Sequence, residues 1–106
     1  MEKHDVHALI RQMRDVDVDT RRQSILALKD AEMPSERREV VDALIAALDD
    51  AHIAVREAAE ATLISLGGAD VVAALIPCLS HESPTVLNYA IEILSRIGLD
   101  AVEYIL

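Results

Sequence analysis

The sequence predicts an all-α fold, an α-solenoid (α-α superhelix) of about three helical hairpins plus the start of a fourth. Two observations carry that prediction. The segments Val41-Asp42-Ala43-Leu44-Ile45, Val72-Ala73-Ala74-Leu75-Ile76 and Val102-Glu103-Tyr104-Ile105-Leu106 recur 31 and then 30 residues apart, with His7-Ala8-Leu9-Ile10 as a more divergent first copy. A fixed period of this length marks stacked supersecondary units. The apolar 52% of the chain is almost all Ala, Leu, Ile and Val, with Tyr89 and Tyr104 as the only aromatic residues and three Gly and three Pro in total. Small aliphatic residues at helical spacing suit close helix packing, and so few Gly and Pro leave little material for sheet turns. Helix content above about 60% and no strand are expected.

The helices come in pairs, within repeats at approximately 4–33, 36–67 and 69–98 and a partial one at 99–106, all in a single domain. First helices are expected over roughly residues 5–14, 36–48 and 69–79. Leu44, Ile45 and Leu48, then Val72, Leu75, Ile76 and Leu79, fall at spacings that make one apolar stripe. Second helices are expected over roughly 18–31, 53–66 and 84–97, with Val55, Ala59, Leu63 and Leu66 sharing a face in the middle copy and Val86, Ala90, Leu94 and Ile97 in the third. Gly67-Gly68 and Gly98 end two of these helices where a left-handed conformation is needed. The first copy exits instead through Asp30-Ala31-Glu32-Met33-Pro34-Ser35, where Pro34 blocks continuation and Ser35 is a candidate cap for the next helix. In the turns inside the pairs, Asp17 and Ser83 stand at N-cap positions and Pro84 at a first helical position, where its missing N–H costs nothing.

These residues resemble a known family. The run Val55-Arg56-Glu57-Ala58-Ala59-Glu60-Ala61-Thr62-Leu63-Ile64-Ser65-Leu66-Gly67 is similar to the second helix of a HEAT repeat, of the short kind also found in phycobilin lyases. The acidic turn before it and Leu75-Ile76-Pro77 in a first helix are similar to that family as well. The resemblance spans the whole chain, most closely in the second and third copies; the first has Thr20-Arg21 in place of Val-Arg and no terminal glycine. It implies first helices on the convex side and second helices on the concave side. It also implies a polar ladder between neighbouring repeats, carried by Asp15 with Arg21 and Asp50 with Arg56. His81 and Leu87 stand at the corresponding places of the third copy and interrupt it.

Charge excludes some functions. The formal net charge is −9, yet residues 1–38 carry eight Lys/Arg against eight Asp/Glu, while residues 39–106 carry Arg56 and Arg96 against eleven acids. A phosphate backbone requires a basic stripe, so nucleic acid is not an expected ligand, despite the local group Arg11, Arg14, Arg21 and Arg22. A base-excision glycosylase would add aromatic residues to a basic groove, and two tyrosines do not supply them. No apolar run reaches the roughly 18–20 residues of a membrane span, and Met1-Glu2-Lys3-His4-Asp5 lacks the apolar core of a signal peptide. A cytoplasmic location is the expectation.

Chemistry-bearing groups are sparse. Deoxyhypusine hydroxylase resembles this chain in its HEAT-like repeats and carries His-Glu pairs near the starts of its second helices. The matching places here read Arg21-Arg22, Arg56-Glu57 and Leu87-Asn88, and the lone His81-Glu82 pair lies in a turn, too few ligands for a two-histidine, one-carboxylate iron site. Asp15, Asp17 and Asp19 have the opening spacing of a calcium loop, but Thr20 stands where Gly is required and Leu26 where Glu is required. His4 and His7 lie one helical turn apart near the N-terminus and read as solvated residues. Cys78 follows Pro77 within a helix with no His near it in sequence, the pattern of a small buried thiol. No catalytic residue, metal or cofactor is expected; a chromophore-lyase-type or other HEAT-built enzyme subunit is the alternative.

A non-catalytic protein–protein interaction scaffold is therefore the leading expectation. Counted at about 100° per residue, the face of the second helices opposite their core stripe presents three groups of residues in turn. They are Arg22, Ile25, Leu26 and Lys29, then Glu57, Glu60, Ala61 and Ile64, then Asn88, Ile91, Glu92 and Ser95. Its three isoleucines make a candidate partner-binding patch, with cations at one end and acids toward the other setting orientation. A second expectation concerns Val102, Tyr104, Ile105 and Leu106, whose register matches core positions. An apolar end without its partner helix predicts self-association as a homodimer.

Overall fold

The computed structural model describes residues 5–31 and 35–98. Every regular element among them is helical: α1 Val6–Gln12, α2 Val18–Leu28, α3 Arg37–Ala47, α4 Ile53–Leu66, α5 Gly68–Leu75, a 3-10 segment Ile76–Ser80, and α6 Pro84–Ile97. First helices α1, α3 and α5 pack side by side in one layer and second helices α2, α4 and α6 in the other, each pair also packing across the layers. That is a solenoid of helical hairpins. Its core lies between the layers and runs unbroken from Val6 and Leu9 to Ile93 and Leu94.

The helix starts follow from side-chain chemistry. Asp5, Asp17, His52 and Ser83 sit in extended conformation at the N-caps of α1, α2, α4 and α6, and each accepts a hydrogen bond from a backbone N–H of the first turn. Pro84 opens α6 as expected. Ser35 does not cap α3: the cap position is Glu36, with no side-chain bond, and Arg37 opens the helix.

The third first helix departs from its expected span. It stops at Leu75 and tightens into the 3-10 turn Ile76–Ser80. Pro77 has no N–H to give and its ring crowds the carbonyl one turn back. The tighter winding turns Cys78 into the core and leaves Ile76 and Leu79 36% and 40% exposed, so the inward stripe is Val71, Val72, Leu75 and Cys78 instead. Elsewhere the stripes hold, with Ile45, Leu66 and Ile97 only half-buried and Ala58, Thr62 and Ile93 joining the core. Buried Thr62 satisfies its hydroxyl by donating to the Ala58 carbonyl at 2.8 Å.

Gly67 ends α4 with φ 55° and ψ −162°, and Gly98 ends α6 with φ 81° and ψ −146°. Both have the positive φ expected, but their ψ belongs to a mirror-extended region open essentially to glycine alone. Gly67 also opens α5, so a single residue joins two repeats there.

Candidate interaction surface

Among the described residues, two polar structures and one broad helical face organise the surface. The first structure is the edge formed by the turns inside the hairpins. At the same place in each turn a side chain accepts the N–H two residues ahead: Asp15 from Asp17 at 2.8 Å, Asp50 from His52 at 2.9 Å, and His81, through Nδ1, from Ser83 at 3.0 Å. Asp, Asp and His do the same local work.

Between repeats they do not. The Arg21 guanidinium donates from Nε and Nη2 to the two carboxylate oxygens of Asp50 at 3.0 and 3.1 Å, a bidentate pair across 29 residues. The rung that forms joins Arg21 to the acid of the following repeat, whereas the expectation paired Asp15 with Arg21 and Asp50 with Arg56. Within a repeat the arginine reaches only backbone: Arg21 Nη1 donates to the Asp15 carbonyl at 2.9 Å and Arg56 Nη1 to the Asp50 carbonyl at 2.8 Å. Burial raises the Asp50 pKa, but the His52 N–H and the Arg21 guanidinium outweigh it and hold the carboxyl below the usual aspartate range. Asp17 is held low too, first by the Thr20 N–H and then by the Thr20 hydroxyl.

The next rung is broken. Arg56 occupies the place of Arg21, and by register its carboxylate belongs at position 81, which is histidine. Arg56 Nε is buried without a partner. The two turns are joined instead by Ser83, whose hydroxyl donates to Asp49 at 3.0 Å. Substituting His81→Asp keeps an acceptor for the Ser83 N–H and gives Arg56 its carboxylate, so it is expected to stabilise the fold by about 0.5–1.5 kcal/mol. Urea denaturation at neutral pH checks this; a midpoint at or below that of the parent chain counts against the assignment of the rung.

Arg37 forms the second polar structure, and nothing in the sequence pattern pointed to it. From the start of α3 it pairs with Asp70 on α5 and donates to the Leu66 and Gly67 carbonyls at 3.3 and 2.7 Å, closing the C-terminal end of α4. Its bond to Asp70 raises the guanidinium pKa and lowers that of the carboxyl. One side chain ties three helices together.

On the face of the second-helix layer, Lys29, Glu57, Asn88, Glu92 and Ser95 are exposed, and Arg22, Glu60 and Ile64 are half-buried. Ile25 is not on it. It is fully buried because α4 packs over that side of α2, where the Thr62 hydroxyl approaches the Ile25 carbonyl at 3.5 Å. Leu26 and Ala61, expected on the same face, are half-buried and exposed respectively. Ile91 shares the register of Ile25 but is 49% exposed. Glu60 lies in the seam between α4 and α6, where burial and then Glu92 and Glu57 push its pKa up against the opposing effect of Arg96. Arg96 pairs with Glu92 one turn away at 3.0 Å.

The groups weighed for chemistry are otherwise engaged. Asp15 and Asp17 spend carboxylate oxygens on the turn and the α2 cap, and His7 meets Glu39 at 3.2 Å. Burial pushes the Cys78 thiol up, away from the nucleophilic thiolate. Among the described residues no three His, Cys, Asp or Glu side chains gather as a metal would require, and no helix is long and apolar enough to cross a membrane. His4 and the self-association residues Val102, Tyr104, Ile105 and Leu106 lie outside the described residues.

No curated protein matches the chain. A family model for HEAT repeats matches residues 41–106, more than half of its length. With paired helices stacked in two layers and the arginine–aspartate rung between turns, this chain belongs to the HEAT-repeat family.

Proposed function

We propose that the chain is a non-catalytic, cytoplasmic scaffold that binds a protein partner along the concave face of its second helices. One observation carries this reading: three parallel second helices present a continuous outward face whose charge changes sign along the array. Arg22 and Lys29 stand on α2, Glu57 and Glu60 on α4, and Glu92 beside Asn88 and Ser95 on α6, with Leu26, Ala61 and Ile64 as apolar contact between them. Such a gradient fixes the orientation of a partner with complementary ends and speeds its encounter. HEAT repeats commonly serve as protein-interaction scaffolds. The acidic majority of this surface argues against nucleic acid as the ligand.

The test is affinity capture from the source lysate with the parent chain and with the double variants Glu57→Lys/Glu60→Lys and Arg22→Glu/Lys29→Glu, each checked for unchanged helicity. A protein captured by the parent and lost with either charge reversal is the expected result. Capture that both reversals leave intact, or a client held through a bound chromophore, overturns the reading.

A further inference from the structure

The two joints between repeats are built from the same register positions. On α2 the side turned toward the second repeat carries Arg21, Ile25 and Leu28; on α4 the side turned toward the third carries Arg56, Glu60 and Leu63, each 35 residues later. In the first joint all three positions close. Arg21 holds Asp50 in a bidentate pair, and Ile25 and Leu28 are fully buried.

In the second joint only the last position closes in the same way, with Leu63 fully buried. Glu60, in the place of Ile25, brings a carboxylate into the seam between α4 and α6, where burial and then the Glu92 charge act against its ionised form. Arg56 Nε, in the place of Arg21 Nε, is buried with no acceptor, since His81 stands where the first joint has Asp50. A guanidinium nitrogen buried without its carboxylate, and a carboxylate facing another, each favour separation of the groups around them. What holds this edge is the exposed hydrogen bond from Ser83 to Asp49.

The opposite edge is tightly closed. Gly67 alone joins α4 to α5, and Arg37 ties α3 to Asp70 and to the Leu66 and Gly67 carbonyls. The second joint is therefore clamped at its linker end and weakly tied at its turn end.

We propose that the junction between the second and third repeats is a hinge. In it α5, the 3-10 segment and α6 turn as one body about the linker end, parting the turn edge between Asp50 and His81 while the Arg37 clamp stays closed. Hinges concentrate the change of backbone angle in a few residues at element ends. Gly67 and Gly68, both at positive φ, are free to absorb it. The first joint, tied at its turn and along its seam, does not share the motion. Opening changes the spacing between Glu57 and Glu60 on α4 and Glu92 on α6, so the hinge adjusts the acidic part of the outward face. That consequence rests on the scaffold reading; the hinge itself does not, and its test uses no partner.

Val16, Ala51 and Glu82 occupy one register at the exposed tips of the three turns. In a Cys78→Ala background, which removes the one native thiol, spin labels on Val16→Cys/Ala51→Cys report the first joint and on Ala51→Cys/Glu82→Cys the second. Circular dichroism establishes that each variant folds, and dipolar EPR in frozen solution reads the spread of distances. The second pair is expected to show a spread about twice that of the first or more. His81→Asp, which gives Arg56 its carboxylate, or Glu60→Ile, which restores the seam isoleucine, should narrow it toward that of the first. Equal spreads in the parent, or a second spread that neither substitution narrows, overturns the proposal. So does hydrogen exchange in which the α6 amides open together well before those of α4, since the third repeat is then unfolding instead of turning as a body.

Discussion

Replacing Leu63 by alanine is expected to destabilise the protein by about 2–5 kcal/mol. Leu63 is completely buried on α4, the helix that packs against α2, α3 and α6 at once. Removing its branched end leaves a cavity bounded by several helices, which cannot all close on it without disturbing one another. Glu57 lies two turns earlier on the same helix and is exposed, so Glu57→Ala should cost about 0.5 kcal/mol or less. Chemical denaturation of the two variants beside the parent measures both. Equal losses would place the core on the wrong side of α4.

The inward stripes of α3, α4 and α6 were legible because packing between two layers imposes a 3.6-residue rhythm that neighbouring residues cannot hide. Helix starts were legible where a short polar side chain caps them, as at Asp17 and Ser83, and where proline opens the helix at Pro84. Counting around a single helix misplaced Ile25, because a second helix in a solenoid is covered on two sides, by its own hairpin partner and by the next repeat. A helical wheel distinguishes inside from outside; it does not distinguish a flank from a face. The same geometry leaves Ile91 exposed and separates it from Ile64.

The polar framework was read only in part. The acids and arginines of the ladder were recognised, but their pairing depends on how one turn stacks over the next, a distance of 29 residues that local spacing does not encode. Arg37 is the clearest case. Its three partners come from the end of α4, the linker and α5, and they converge only because Gly67 joins two repeats in a single residue. Pro77 was visible as a helix disruptor, yet its effect on neighbouring side chains, Cys78 inward and Ile76 outward, follows from the 3-10 winding it induces.

Asp50 is the residue on which the turn edge depends most, and Asp50→Ala is expected to cost about 2–3 kcal/mol at neutral pH. The substitution removes both carboxylate bonds to Arg21, leaves that guanidinium, on a side chain only 15% exposed, with backbone carbonyls as its acceptors and no counter-charge, and deletes the acceptor for the His52 N–H. Asp50→Asn should fall between, since an amide oxygen still accepts one of these bonds but carries no charge. Glu92→Ala, which breaks an exposed pair within one helix, should cost about 0.5 kcal/mol or less. Acid provides the second arm. Because the folded carboxyl titrates below its ordinary value near 4, its contribution is complete above that value and is lost as pH falls through the folded pKa. The gap between parent and Asp50→Ala should therefore be constant from about pH 7 to pH 5 and close progressively below about pH 4. Urea titrations across that range measure it, and a gap that stays open to about pH 2 would show that the Arg21–Asp50 pair is not what holds the first two repeats together at their turns.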